Sequence, residues 1–245
     1  MVSDSEYNHY MSKISGRGGT GNEMDQVLAA AARLQGILKD AVLVGGTAAS
    51  AHAGHRLSLD ADHELTDLRE RFDQVLDALE STDGWATARV KRPVLILGNL
   101  DGIDTGIRQL IRQQPLEVQE FEAAGKRLRI PTLEEMLRIK AWLILRRNAT
   151  RDFLDFVALA DKLGPTAAEV AIGIDHYYRD QRGSGGSRIS TQLAKQLADP
   201  APYDLSEVDL SSYRKLVEKW RDFGRVAAAC RQIATQMLAS RAKGN

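Results

Sequence analysis

The sequence predicts an α/β (α+β) fold, with a mixed sheet and flanking helices followed by a helical C-terminal domain. In the first half, short apolar runs typical of strands alternate with helical periods, whereas beyond Pro131 every long segment has a helical period. A chain of 245 residues is long enough to bury a sizeable core. We therefore expect a flexible N-terminal arm (1–23), an α/β domain (24–130) and a helical C-terminal domain (131–245).

The elements of the first half follow from their apolar patterns. Apolar residues at 3.6-residue spacing predict helices, and short apolar runs bounded by glycine or polar residues predict strands. In chain order, these are the helix Met24–Leu38, the strand Ala41–Val44, the short helix Ala48–Ala53, the strand Leu57–Ala61, the helix Glu64–Leu79 and the strands Ala86–Val90, Val94–Leu97 and Ile103–Leu110.

The second half is predicted to be helical throughout. Its helices are expected at 133–147, 151–163, 166–181 and 211–241, with a Gly/Ser loop at 182–188. Asn148 or Thr150 is the expected N-cap of the second of these helices, since both side chains can accept a hydrogen bond from the first turn.

Composition excludes several classes of protein. The chain is 43% hydrophobic and 27% charged, which excludes a fully disordered chain. Cys230 is the only cysteine, so no internal disulfide can form. No apolar run approaches the roughly 18 residues that cross a bilayer, and the N-terminus has no apolar core like that of a signal peptide. We expect a cytoplasmic protein with no membrane association.

Charge is distributed unevenly, although Lys+Arg and Asp+Glu both total 33. Residues 60–83 carry nine acidic and two basic side chains, whereas residues 86–151 carry thirteen basic and seven acidic ones. Acidic and basic surfaces could therefore adjoin, as a metal-dependent enzyme acting on a polyanion would need. A basic track for RNA is expected at Lys126, Arg127, Arg129, Arg146, Arg147 and Arg151.

Two features of the first half point to phosphate and metal binding. Gly45, Gly46 and Thr47 join a buried strand to a helix, and a glycine turn at a helix N-terminus can cradle phosphate. On the next strand, alternation places Arg56, Ser58, Asp60 and Asp62 on one face. Two neighbouring carboxylates suit Mg²⁺ or Mn²⁺. Taken singly, the turn is equally an ordinary N-capped helix start, and the carboxylates a solvent-facing strip.

A lysine in the second half interrupts an apolar helical stripe. Lys140 lies seven residues after Leu133, among apolar neighbours, so it must either extend its ammonium to solvent or have an anionic partner. Arg147 could extend the same face. Asp152 and Asp155 share a helix face, and Asp152 could complement the helix dipole, pair with Lys140 or Arg147, or act as a base.

The segments VGGTAASAHAGHRLSLDADHEL (44–65) and PTLEEMLRIKAWLILRRNATRDFLDFVAL (131–159) together resemble the nucleotidyltransferase AbiEii/AbiGii toxin family. The resemblance covers about residues 25–165 and implies a nucleotidyltransferase-like fold of the DNA polymerase β type. It also implies nucleotide transfer from an NTP to an RNA acceptor, with tRNA the expected target, and a cognate antitoxin protein encoded nearby.

The resemblance also implies roles for individual residues. Gly46 and Thr47, with Gly45, would hold the triphosphate, Asp60 and Asp62 the metal, and Lys140 a phosphate. Asp152 would be the downstream acidic residue and Asp155 the weaker candidate. Arg56, Ser58 and Arg147 join the nucleotide-binding set. Asp104 is the candidate for a third carboxylate, although its surroundings match the family poorly. His63 and Glu64 replace the usual apolar continuation after Asp62, so the strand is expected to end early.

Two other functions remain open. The same fold could transfer a nucleotide to an aminoglycoside, which an acidic acceptor cleft would favour, or it could be a degenerate transferase that only binds a nucleotide or a partner. His52 and His55 are expected to be exposed loop residues rather than metal ligands. Tyr177 and Tyr178 are expected to pack against helices rather than stack on bases.

Overall fold

The computed structural model describes residues 21–123, 125–182 and 186–243, which form two compact units. The sheet unit contains the described residues up to Thr47, together with Ser58–Gln109 and Glu120–Arg129. The helical unit contains Ala48–Leu57, Leu110–Gln119 and the described residues from Ile130 onward. Two segments from the first half of the chain thus belong to the helical unit. Most of the arm predicted at 1–23 lies outside the described residues.

The sheet unit is built on one five-stranded mixed sheet, which confirms the predicted fold class. Its order is β1-β2-β5-β4-β3, with β2 and β5 parallel and the other neighbours antiparallel. The strands are β1 (Val42–Leu43), β2 (Ala61–Leu65), β3 (Trp85–Lys91), β4 (Leu95–Leu100) and β5 (Ile103–Gln109); the helices are α1 (Gly21–Ile37), α2 (Gly45–Ala53), which continues into the helical unit, and α3 (Phe72–Glu80).

One face of this sheet is covered by α1 and α3. Leu34 of α1 and Phe72 and Leu79 of α3 belong to the same buried apolar cluster as Ile96 and Ile107 of the central strands. The opposite face carries the side chains that alternate with these core residues. The core therefore determines which side chains are left for a functional surface.

The strand that carries the acidic pair is displaced from its predicted position. It spans Ala61–Leu65, not Leu57–Ala61, and it continues through His63 and Glu64 where an early end was expected. His63 and Leu65 are buried, because they alternate with Asp62 and Glu64 and point into the core. The helix predicted at Glu64–Leu79 begins only at Phe72, since Glu64 and Leu65 are used by the parallel pairing with β5.

The remaining elements are a hairpin and six helices among the described residues. Sequence patterns did not predict the hairpin of β6 (Val118–Ala123) and β7 (Lys126–Pro131). The helices are α4 (Leu133–Arg147), α5 (Thr150–Leu163), α6 (Ala167–Ile172), α7 (Ile174–Tyr177), α8 (Ile189–Ala198) and α9 (Phe223–Lys243). In the part of the chain that the structure describes, no helix is both long and apolar enough to cross a bilayer.

Several helix predictions were wrong in detail. The helix predicted at 166–181 is divided at Gly173, and the one predicted at 211–241 begins only at Phe223. The helix α8 was not predicted. The N-cap of α5 is Ala149, whereas Asn148 ends α4 in the left-handed region with φ 49°. Asp204, distant in sequence, accepts the Thr150 backbone N–H at 2.8 Å and so takes the capping role.

Candidate functional site

The glycine turn is tied to the acidic strand by two hydrogen bonds. Gly45 begins α2 with φ +74°, a conformation that favours glycine. The Val44 backbone N–H donates to the Asp62 carbonyl at 2.8 Å, and the Thr47 hydroxyl donates to the Asp60 carbonyl at 2.6 Å. Thr47 is completely buried, so its hydroxyl holds the turn against the strand.

The Asp62 carboxylate occupies the space left by two glycines. A Cβ atom on Gly45 would lie 3.1 Å from Asp62 Oδ2, and one on Gly106 would lie 2.4 Å from Asp62 Oδ1. Gly106 is the register partner of Asp62 on the parallel strand β5. Gly106 was not among the predicted site residues, although a glycine inside a strand pattern is a known signal of close approach.

Further charged side chains surround Asp62. Asp104 lies two residues before Gly106 on β5, on the same sheet face by strand alternation, and accepts a hydrogen bond from Asn99 at 3.1 Å. Arg108, two residues after Gly106, places Nη2 3.7 Å from Asp62 Oδ1. Asp60 directly precedes β2 and is exposed. Among the described residues, no three His, Cys, Asp or Glu side chains converge as a ready-made metal site.

In the helical unit, the predicted anionic partner of Lys140 is present. Lys140 is 2% exposed, and its Nζ lies 2.8 Å from Asp155 Oδ2 and 3.9 Å from Asp152 Oδ1. The ammonium is therefore held in a buried ion pair and does not extend to solvent. Asp155, which sequence reasoning ranked below Asp152, is the carboxylate in direct contact with the lysine.

Asp155 also binds two consecutive residues that follow α2. Arg56 donates from Nε to Oδ1 at 2.7 Å and from Nη2 to Oδ2 at 3.0 Å. His55 Nε2 lies 2.7 Å from Oδ1. Burial by itself would raise the pKa of Asp155, but Arg56, Lys140 and the His55 hydrogen bond outweigh it and hold that pKa well below its usual range. Burial lowers the pKa of His55 despite its hydrogen bond, so a neutral His55 donates to the carboxylate.

Asp152 has a different partner. Arg147 donates to it from Nε at 3.1 Å and from Nη2 at 2.7 Å, which is the two-point geometry that guanidinium and carboxylate groups favour. Asp152 is buried, whereas the Arg147 side chain is 41% exposed. One of the predicted pairings of Asp152 is thus confirmed, and Arg147 is the exposed edge of this ionic cluster.

The expectations for the histidines were wrong. His55 is buried, and His52 is half-buried with Nε2 2.8 Å from the Pro131 carbonyl. Tyr178 packs against a helix, as expected: its ring stacks on Trp142 with centroids 4.8 Å apart. The Arg138 guanidinium lies 3.9 Å from the centroid of Tyr177.

The predicted RNA track is divided between the two units. Arg129 is committed to a hydrogen bond with the Lys39 carbonyl at 2.9 Å, and Arg127 lies 3.5 Å from Glu120. Arg147 is committed to Asp152. These pairings reduce the positive charge that the track could offer to a polyanion.

The predicted site residues are distributed over both units. The sheet unit holds Gly45, Gly46, Thr47, Ser58, Asp60, Asp62 and Asp104. The helical unit holds Arg56, Lys140, Arg147, Asp152 and Asp155. The sheet unit thus brings the glycine turn against the acidic strand, and the helical unit brings the lysine against its acids. Arg56 joins Asp155 and does not continue the acidic strand, while Ser58 is buried.

Sequence comparison finds relatives only over part of their length. No family model matches the chain. The heme uptake protein MmpL11 of Mycobacterium tuberculosis is 36% identical over 178 residues, which is 72% of this chain and 17% of that protein. The mycolic acid-containing lipids exporter MmpL11 of Mycolicibacterium smegmatis is 36% identical over 137 residues, 55% of this chain and 14% of that protein. The chain therefore spans less than a fifth of the curated relatives that it matches.

Structural comparison supports the fold. A crystal structure from H. pylori, described as that of a candidate nucleotidyltransferase, superimposes with a TM-score of 0.52 at 16% identity and covers 91% of this chain and 96% of its own. At that identity, the likeness concerns the fold alone. The arrangement of a mixed sheet, a glycine turn and helices is thus that of a nucleotidyltransferase-like α/β fold.

Proposed function

We propose that this protein is a nucleotidyltransferase that moves a nucleotide from an NTP to a hydroxyl group of an RNA, with tRNA the expected acceptor. The observation that carries the proposal is the seating of Asp62 between Gly45 and Gly106, directly beside the glycine turn. A carboxylate packed so closely by two backbones is held in one place, as a metal-binding group must be. The nucleotidyltransferase-like fold supports the same conclusion.

The donor set fits Mg²⁺ or Mn²⁺ held by Asp60 and Asp62. Mg²⁺ usually binds one or two carboxylates and takes its other ligands from water and substrate phosphates, so a ready-made site of three protein ligands is not required. The bound ion would supply charge stabilisation at the phosphates. In the proposed reaction, an RNA hydroxyl oxygen forms a bond to the α-phosphorus and its proton passes to water. The bond from that phosphorus to the oxygen that bridges it to the β-phosphate breaks, and pyrophosphate leaves.

The protein's own residues would orient the reactants. The backbone N–H groups at Gly45 and Gly46 open a helix and suit a phosphate oxygen, and the buried Thr47 hydroxyl holds that turn in place. The family resemblance implies a phosphate contact for Lys140, whereas its ammonium is buried against Asp155. Arg147 is the more accessible cation of that cluster.

The physiological role that we propose is that of a cytoplasmic toxin neutralised by a cognate antitoxin. Its support is the resemblance of segments 44–65 and 131–159 to the AbiEii/AbiGii toxins. Modification of RNA by an uncontrolled transferase would stop growth, so a separate antitoxin protein should be encoded nearby.

The test of the reaction uses labelled NTPs, Mg²⁺ and total RNA. We expect label to enter RNA with the unchanged protein and with Asp77→Ala, which alters an exposed carboxylate of α3, but not with Asp60→Ala or Asp62→Ala. Equal labelling by all four proteins would exclude the mechanism. Label entering an aminoglycoside and not RNA would assign the small-molecule alternative. Thermal stabilisation by NTP and Mg²⁺ with no transfer to either acceptor would assign the degenerate one.

A second candidate role is a module that serves a membrane transport system. The observation that favours it is the 36% identity, over 72% of this chain, to the far longer M. tuberculosis protein named for heme uptake. Expression in a bacterial host separates the two roles. A toxin should arrest growth unless Asp60 or Asp62 is replaced, whereas a transport module should leave growth unchanged and co-purify with a membrane transport protein.

A further inference from the structure

The sheet unit presents an open face on the side opposite its apolar core. We define the open face by Arg89 and Lys91 of β3, Leu95 and Leu97 of β4, and Asp104 and Arg108 of β5. Their neighbours along the strands, such as Val90 and Ile96, point to the core. The open face therefore follows directly from the alternation that builds the core.

Strand register arranges the open face in two rows. In one row, Lys91 pairs with Leu95, and Leu95 pairs with Arg108. In the other row, Arg89 pairs with Leu97, and Leu97 pairs with Gly106. Paired residues on neighbouring strands share a face.

Both rows continue onto β2, where they reach acidic residues. Gly106 pairs with Asp62, and Arg108 pairs with Glu64. Basic side chains on β3 are thus connected to the proposed catalytic carboxylate by a surface of half-buried leucines and one glycine.

The cations on the open face are available. Arg89 and Lys91 are exposed, and neither forms an ion pair with an acid among residues 21–123, 125–182 and 186–243. The Arg108 side chain is 46% exposed, and its acidic neighbour is Asp62, at 3.7 Å. This contrasts with Arg129 and Arg147, which donate hydrogen bonds to protein partners at 2.9 Å and 2.7 Å.

From this arrangement, which rests on the proposed function, we propose that the open face binds the phosphates of a single-stranded RNA end and leads it to Asp62. Arg89 and Lys91 are two residues apart on one strand, so their side chains emerge about 6.7 Å apart, close to the spacing of phosphates along an extended single strand. Leu95 and Leu97 offer an apolar surface for the bases. Arg108 would take the phosphate nearest the reacting end.

The test measures binding of a short fluorescein-labelled single-stranded RNA by anisotropy at several salt concentrations. The double variant Arg89→Gln/Lys91→Gln removes two exposed charges on β3. The matched control Arg225→Gln/Arg231→Gln removes two exposed charges on α9. Each lost phosphate contact lowers the slope of log K against log salt by about 0.7 for single strands, so the β3 variant should lose about 1.4 of slope and about tenfold of affinity at 0.15 M salt.

The outcomes are distinct. The control should bind RNA like the unchanged protein, and equal weakening of both variants would overturn the proposal, as would absence of RNA binding by the unchanged protein. Competition by polyglutamate as effective as that by RNA would assign the face to an acidic protein instead. NTP with Mg²⁺ should raise the melting temperature of the unchanged protein and the β3 variant equally. Failure of that shift in both would count against the proposed function, while RNA binding would still decide the role of the open face.

Discussion

Replacing Gly106 by alanine tests whether the Asp62 carboxylate depends on the space that this glycine leaves. The added Cβ would lie 2.4 Å from Asp62 Oδ1 and 3.2 Å from Leu97 Cδ2. Real Cβ contacts essentially never fall below 3.0 Å, so the carboxylate must move by at least 0.6 Å, the difference between 3.0 and 2.4 Å. The leucine methyl group needs to move by only a few tenths of an ångström. The clash with Asp62 is therefore the decisive one.

The expected cost follows from that displacement. Overpacking of this kind costs about 1–3 kcal/mol of stability. A shift of about 1 Å in a reacting group can lower the rate about 100-fold, so nucleotide transfer should fall by about that factor. Because Asp62→Ala removes the atoms that clash, Gly106→Ala should cost less than about 1 kcal/mol in that background. The coupling between the two sites should then be about 1 kcal/mol or more.

The assay is urea unfolding of the unchanged protein, the two single variants and the double variant. It needs no substrate, so it stands independently of the proposed reaction. The control is Gly36→Ala in α1, where nothing lies within 4 Å of the added Cβ and where alanine should stabilise the helix by about 0.5–1 kcal/mol. If Gly106→Ala lowered the free energy of unfolding equally with and without the Asp62 carboxylate, the space at Gly106 would not be what accommodates that carboxylate.

Two further predictions concern buried charge. Asp155→Ala should lower the free energy of unfolding by about 3–5 kcal/mol, because it leaves the buried Lys140 ammonium without its carboxylate. The control Asp161→Ala breaks a half-exposed ion pair and should cost under about 1 kcal/mol. Similar losses for the two variants in urea unfolding would contradict the assignment of a buried ion pair. Burial lowers the pKa of His63 to about 4 from its ordinary 6.5. As pH falls, the imidazole is therefore protonated in the unfolded chain before it is protonated in the folded protein. About 3 kcal/mol of stability should be lost as pH falls from 6.5 to 4. That loss should shrink in His63→Gln but persist in His176→Gln, which alters an exposed histidine, and an unchanged pH profile in His63→Gln would exclude this origin.

Local patterns predicted the elements whose signals lie within a few residues. The helix α4 has the predicted bounds, Leu133–Arg147, because its cap is local: the Thr132 side chain accepts the Glu135 backbone N–H at 3.2 Å. The strand and the helix at residues 42–53 were likewise evident from short-range sequence, although the helix begins at Gly45, three residues before its predicted start. The position of Lys140 in an apolar stripe also indicated that its ammonium needs either an anionic partner or access to solvent.

Long-range packing decided what those patterns left open. Asp152 and Asp155 share one face of α5, and only the packing of α4 against α5 determines that Asp155 meets Lys140 while Asp152 meets Arg147. Asp204 caps α5 from a segment more than fifty positions away, which no local motif could indicate. The burial of His55 similarly follows from its contact with Asp155, one hundred positions along the chain.

Covalent neighbours set which residues carry charge, which turn can approach a phosphate, and which residues alternate along a strand, so these properties are evident before folding. The pairing of the strand of Asp62 with that of Gly106 arises only in the folded chain, where a carboxylate fills the space left by a missing side chain. This pairing depends on strand register. Pairing between strands separated by about forty residues is selected by burial of one face of the sheet, and a shift of one residue would have turned Asp62 into the core.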